Sequence, residues 1–145
     1  MTVPPALLEG GLYRVTPAGR RRADALVQRA RRRGFAEFTL DLAETRSKAA
    51  FLRTAAAAMA FPDYFGGNWD AFYDCVTDLG WRPAPGYLVR VRNTGALSQR
   101  AAPVLAEAVD ILAEAADFWR GEGIPFVVLV DDPGMPAFGT RLRSL

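Results

Sequence analysis

The chain has no histidine and a single cysteine, Cys75, among its 145 residues. These two shortages exclude much chemistry at once. A structural zinc site draws on histidine and cysteine ligands, and the common hydrolytic triads need an imidazole as base. One cysteine rules out an internal disulfide framework and suits a reducing compartment. Also missing are a phosphate-cradling Gly-x-x-x-x-Gly-Lys-Ser/Thr loop and a Gly-x-Ser-x-Gly nucleophile turn. No apolar run approaches the length of a membrane span. The opening residues MTVPPALLEG carry neither the basic start nor the apolar stretch of a signal peptide. The expectation is a soluble, cytoplasmic protein with no cofactor, no metal, no catalytic residue and no membrane partner.

What is present is globular. Half of the residues are hydrophobic and 23% are charged, which excludes a disordered chain. The length predicts one domain, 1–145, with a substantial core. Strand and helix patterns alternate along it. Gly11–Val15 is a short strand candidate, and a helix over about 19–33 stops at Gly34. Residues 35–42 alternate, with Phe38, Leu40 and Leu42 opposite Glu37, Thr39 and Asp41. Ser47 caps a helix to about Met59, ended by Phe61-Pro62, and a further helix runs from Asn68 to about Leu79. Residues 87–92 alternate again, an Ala-rich helix covers about 98–120, and Phe126–Val130 is an unbroken apolar strand. This order predicts an α/β fold with a mainly parallel sheet of three to four strands. Two strands with a polar side put the helices mainly on one face, and the apolar last strand belongs deep in the sheet.

Charge is unevenly spread. Seven arginines, Arg20, Arg21, Arg22, Arg29, Arg31, Arg32 and Arg33, crowd one predicted helix against a lone Asp24. Clustered guanidinium groups suit nucleic-acid phosphates, whereas a solvated helix face with arginines in its last turn is the blander account. Arginine outnumbers lysine seventeen to one across the chain, so part of the cluster is general composition. The solvated face is preferred, and direct nucleic-acid binding is not expected.

Residues 63–78 reverse the sign, with four aspartates, no basic residue, and aromatics around Gly66-Gly67. Asp70 and Asp74 are four apart and share one helix face with Tyr73, while Trp69, Phe72, Val76 and Leu79 form the apolar stripe. A first-turn acid such as Asp70 favours the helix dipole, but Asp74 sits a turn further on, and Asp78 extends the run. Such a stripe suits an external cation better than it suits stability. A glycosidase-like carboxylate pair is a remote alternative, because a convex helix face offers no cleft.

The stretch Phe61-Pro-Asp-Tyr-Phe-Gly-Gly-Asn-Trp-Asp-Ala-Phe-Tyr-Asp-Cys75 resembles the signature of the barstar family, small intracellular inhibitors of secreted microbial ribonucleases. The resemblance covers about 35–130, leaving 1–34 as an N-terminal strand–helix addition, giving an extra edge strand, and 131–145 as a turn-rich tail. It implies a non-enzymatic protein that plugs the active site of a basic, guanyl-specific ribonuclease, one to one. Asp74 would take the place of the substrate phosphate and Asp70 would pair with an arginine. Tyr64 would stack on the catalytic histidine, and Gly66, Gly67 and Asn68 would offer backbone contacts. Phe65, Trp69, Tyr73 and Thr77 complete the implied partner-binding set. Tyr73 stands where the barstar type has tryptophan, and the acidic contact from the last helix falls near Phe118, beside Asp117. The alternatives are a binding or immunity module for another basic protein or toxin, or a nucleic-acid binder using the arginine helix 20–33.

Overall fold

A computed structural model describes residues 5–63, 65–131 and 143–145. The elements, in chain order, are α1 (Ala6–Glu9), β1 (Gly11–Val15), a 3-10 turn (Pro17–Gly19), α2 (Arg20–Arg32) and β2 (Ala36–Asp41). They continue with α3 (Lys48–Ala58), α4 (Trp69–Val76), β3 (Tyr87–Arg92), α5 (Gly95–Gly121), β4 (Phe126–Asp131) and β5 (Arg143–Ser144). The strands form one sheet in the order β2-β3-β4-β1-β5, and every pairing is parallel. Four strands are long, as the pattern predicts, and the two-residue β5 adds a fifth. Of the tail, residues 132–142 lie outside the described ones.

β4 occupies the centre, and its sequence explains why. Phe126, Val128 and Val130 face a cluster with α3, α4 and α5, while Val127 and Leu129 face a second cluster with α1 and α2. A strand apolar on both sides is stable only where both sides are covered. At the β2 end the second side is open, so Thr39 and Asp41 stay exposed while Leu40 is fully buried. β1 is not an edge strand: it runs beside β4, Gly11 opposite Val127 through Val15 opposite Asp131, with β5 on its other flank. Leu12 joins one core cluster and Tyr13 the other, which is the signature of an interior strand.

The helices follow their apolar spacing. α2 buries Ala23, Leu26, Val27 and Ala30, one stripe at helical period. The Ser47 hydroxyl accepts from the Ala50 N–H at 3.2 Å and caps α3. α5 starts at Gly95 and breaks at Ala101 (φ −151°, ψ 60°), two residues before Pro103. Proline has no N–H to donate and its ring obstructs the preceding turn, so the helix restarts after the break. Across the sheet end, Arg31 grips Glu37 through two bonds of 2.7 and 3.1 Å, and Arg90 lies 3.7 Å from the same carboxylate. The Arg31 hydrogen bond is the main reason the Glu37 carboxyl is held below its ordinary pKa; partial burial opposes it, and the charges of Arg31 and Arg90 assist.

Two outcomes follow. Gly10 has φ 76° and ψ −164°, a region almost closed to other residues, and an added Cβ would lie 2.7 Å from the Phe126 backbone nitrogen. Gly10→Ala is expected to lower unfolding free energy by about 3 kcal/mol or more, because strain and backbone overlap add. Gly67 also has positive φ (71°) but open space around it, so Gly67→Ala should cost only about 1–2 kcal/mol. Urea denaturation of both variants checks the contrast. For Glu37 the folded pKa lies below the unfolded one, so its contribution is present above the unfolded value, about 4.3, and is lost as pH falls through the folded value. The Glu37→Gln variant should therefore be less stable than the parent near neutrality and should approach it below about pH 4, as read by melting across pH 2–7.

Candidate functional site, an acidic groove between two helices

The loop into α4 is anchored from beneath by aromatics. Phe61 packs on Phe65 (5.0 Å between centroids), Phe72 (6.1 Å) and Trp81 (6.1 Å). Phe65 is thus half-buried against the core rather than projecting outward. Gly66 and Gly67 are exposed, and the Asn68 side-chain oxygen accepts from the Ala71 N–H at 2.7 Å, capping α4. Tyr64 lies outside the described residues.

Inside α4, Phe72, Cys75 and Val76 are buried. Phe72 meets Phe51 edge-on at 5.5 Å, and Trp69 rests against Phe51 at 5.8 Å with the Lys48 ammonium 5.6 Å from its ring centre. The helix is shorter than its sequence suggests. It ends at Val76, with Thr77 as its C-cap, and the Thr77 hydroxyl turns back to the Tyr73 carbonyl at 2.8 Å. Leu79 then takes φ 50°, which no continuing helix permits. Asp78 is therefore not part of the α4 stripe; its carboxylate accepts from the Gly80 N–H at 3.2 Å in the following turn. Burial, followed by the charges of Asp78 and Asp74, pushes the Cys75 thiol up, which disfavours the reactive thiolate.

α5 holds α4 in place from the side. The buried Trp119 indole N–H donates to the Val76 carbonyl at 2.8 Å, satisfying an acceptor left open at the helix end. Beside this clamp the two helices enclose a groove of about 410 Å³. One wall is Trp69, Asp70, Tyr73 and Asp74; the other is Glu107, Asp110, Ile111 and Glu114. Five carboxylates line it, all on exposed residues, and no basic residue does among the described ones. Asp70 and Asp74 thus border a cleft, not the convex face expected. Trp69 and Tyr73 are half-buried in the wall, so aromatic surface and charge meet in one place.

The α5 acids escaped sequence reasoning. Their spacing, 107, 110 and 114, marks one helix face, and that signal was available. Which way the face points was not. The contact expected near Phe118 lies outside the lining: Asp117 is bonded to Arg120 at 2.7 Å, and Phe118 is 38% exposed. Among the described residues, no group of three or more potential ligands could hold a metal ion, and no helix is long and apolar enough to cross a membrane.

Parallel strands with three helices on one face, the first of the groove helices capped by Asn68 after a Gly-Gly loop, define a barstar-type α/β module. A family model described as Barstar (barnase inhibitor) matches residues 35–131, and the chain belongs to that family. No curated protein matches. Among solved structures, a chain from "Structure of Drosophila ORC bound to DNA" is similar at TM-score 0.51 and 13% identity. That likeness spans 92% of this chain and 25% of the other, and it concerns the fold alone.

The aromatic layer beneath the groove is structural. Phe72 is fully buried, so Phe72→Ala should cost about 3–5 kcal/mol in a thermal or urea melt. A loss below about 1 kcal/mol would mean that the site tolerates the cavity and that α4 is not held through this ring.

Proposed function

We propose that this protein inhibits a basic, guanyl-specific secreted ribonuclease, one to one, by seating the α4–α5 groove and the Gly66-Gly67 loop over the enzyme's active site. The observation that carries this is the double wall of carboxylates, in a barstar-family chain whose total charge is +2. A ribonuclease site is built to hold a phosphodiester anion among cations. A rigid carboxylate is a fair substitute for that phosphate, because charge-assisted bonds to guanidinium groups are strong and directional. Asp74 takes the phosphate place, Asp70 pairs with a neighbouring arginine, and Tyr73 and Trp69 supply desolvated contact area. Glu107, Asp110 and Glu114 extend the negative potential across the groove and steer the approach. Gly66, Gly67 and Asn68 offer exposed backbone, and Tyr64 stacks on the enzyme's histidine.

Inhibition of a guanyl-specific ribonuclease at stoichiometric ratio tests the reading. Asp74→Ala should weaken binding by about 2–5 kcal/mol, since truncation strands the enzyme's cations in a dry interface. Its melting temperature should hold or rise slightly, as repulsion with Asp70 is relieved. Association should slow steeply with added salt while dissociation changes less. Unchanged affinity of Asp74→Ala in calorimetric titration would remove the phosphate-mimic role.

A further inference from the structure

The face of the molecule opposite the groove carries the reverse charge. Residues 20–33 hold seven arginines and one aspartate, a net +6, so the rest of a chain whose total is +2 carries −4. α2 turns Ala23, Leu26, Val27 and Ala30 to the core, which sends the remaining positions outward. Arg20, Arg21, Arg22, Arg32 and Arg33 are exposed, and none of their guanidinium groups forms an ion pair with another described residue. Arg31 is set apart, because it is bound to Glu37.

Stability does not account for this patch. Arginines in a last turn favour the helix dipole, but Arg20, Arg21 and Arg22 stand in the first turn, where positive charge is unfavourable. That turn has no acidic residue and no side-chain cap to offset them. Compositional preference for arginine over lysine explains which cation is used, not why three adjoin there. At 100° per residue, Arg21 and Arg32 both lie on the outermost line of the helix, eleven residues or roughly 16 Å apart. Between them on that line are Ala25 and Gln28, both neutral. The helix has no aromatic residue on which a base could stack. The acidic groove lies across the sheet behind a layer of helices about 10 Å thick, farther than the screening length of about 8 Å at physiological salt.

Contrary to the expectation from composition alone, we propose that the outer face of α2 binds the phosphate backbone of a DNA duplex without reading its sequence. A B-form DNA duplex presents a phosphate for every 1.7 Å or so of its axis, and its major groove, roughly 12 Å wide, admits a helix. The two arginine clusters are spaced to meet phosphates on its two walls, and Ala25 and Gln28 allow close approach. Contacts of this kind position a protein on a duplex and carry no sequence information. This binding is separate from the ribonuclease reading and does not depend on it.

Fluorescence anisotropy with labelled 24-base-pair DNA and RNA duplexes of unrelated sequences tests the proposal. Binding to the DNA duplex at 50 mM salt, indifferent to sequence, is expected, with weaker binding to the RNA duplex, whose deep and narrow major groove does not admit a helix. A slope of log K against log salt near −4 follows from four to five phosphate contacts, about a 250-fold weakening between 50 and 200 mM. The quadruple variant Arg21→Gln, Arg22→Gln, Arg32→Gln, Arg33→Gln should lose at least tenfold at 50 mM and most of that slope, with its melting curve retained. Should that variant misfold, Gln28→Glu, which keeps every arginine and adds a negative charge to the outermost line, should weaken binding severalfold. No binding to the DNA duplex at 50 mM salt, tighter binding to the RNA duplex, or unchanged DNA binding by a folded variant overturns the proposal. It is equally overturned if light scattering shows low-salt self-association that the substitutions abolish while neither protein binds duplex, because the arginine face would then meet the acidic groove of a second copy.

Discussion

Everything in this molecule is arranged around a central strand that must be dry on both sides. β4 contributes five buried residues in succession, and parallel strands with that character need helices above and below. The N-terminal β1 and α2 supply the second cover. β1 pairs along the whole length of β4, and α2 spreads over Leu88, Val127 and Leu129. Residues 1–34 precede the part of the chain that matches the family, yet their β1 sits within the same sheet. Removing them would expose the apolar side of β4 to water.

The opposite cover creates the candidate site. α4 is short and could not hold its orientation through its own hydrogen bonds, since isolated helices of this length are marginal in water. Its position comes from the Phe51, Phe61, Phe72 and Trp69 cluster below and from the Trp119 bond to its last turn. The same two attachments fix the distance between α4 and α5, so packing of apolar rings decides how five carboxylates face one another. Their mutual repulsion is modest because they are open to water, and a cationic partner would remove it. The molecule is therefore polarised across its sheet, acid on the α4–α5 side and arginine on the α2 side.

Sequence and structure agree where short-range chemistry governs. The strand over 87–92 and the Ser47 and Asn68 caps follow from period and cap preference alone. They part where distant residues decide. α4 stops at Val76 because Thr77 closes the turn onto Tyr73 and the chain must bend to bring Leu79 into the core, so Asp78 leaves the acidic line. Phe65, which reads in the sequence like a loop aromatic free to contact a partner, folds back on Phe61.

The sequence by itself determined the class of fold, the family signature around Gly66-Gly67-Asn68, and the pairing of Asp70 with Asp74 on one helix face. These depend on periodicity and on residues within a few positions of each other. Only the tertiary structure decided that β1 is interior, that α5 turns Glu107, Asp110 and Glu114 toward α4, and that the acidic and basic faces stand on opposite sides of the sheet. The reason is that a helix pattern states which residues share a face. Where that face points is set by the packing partner, and that partner lies far away along the chain.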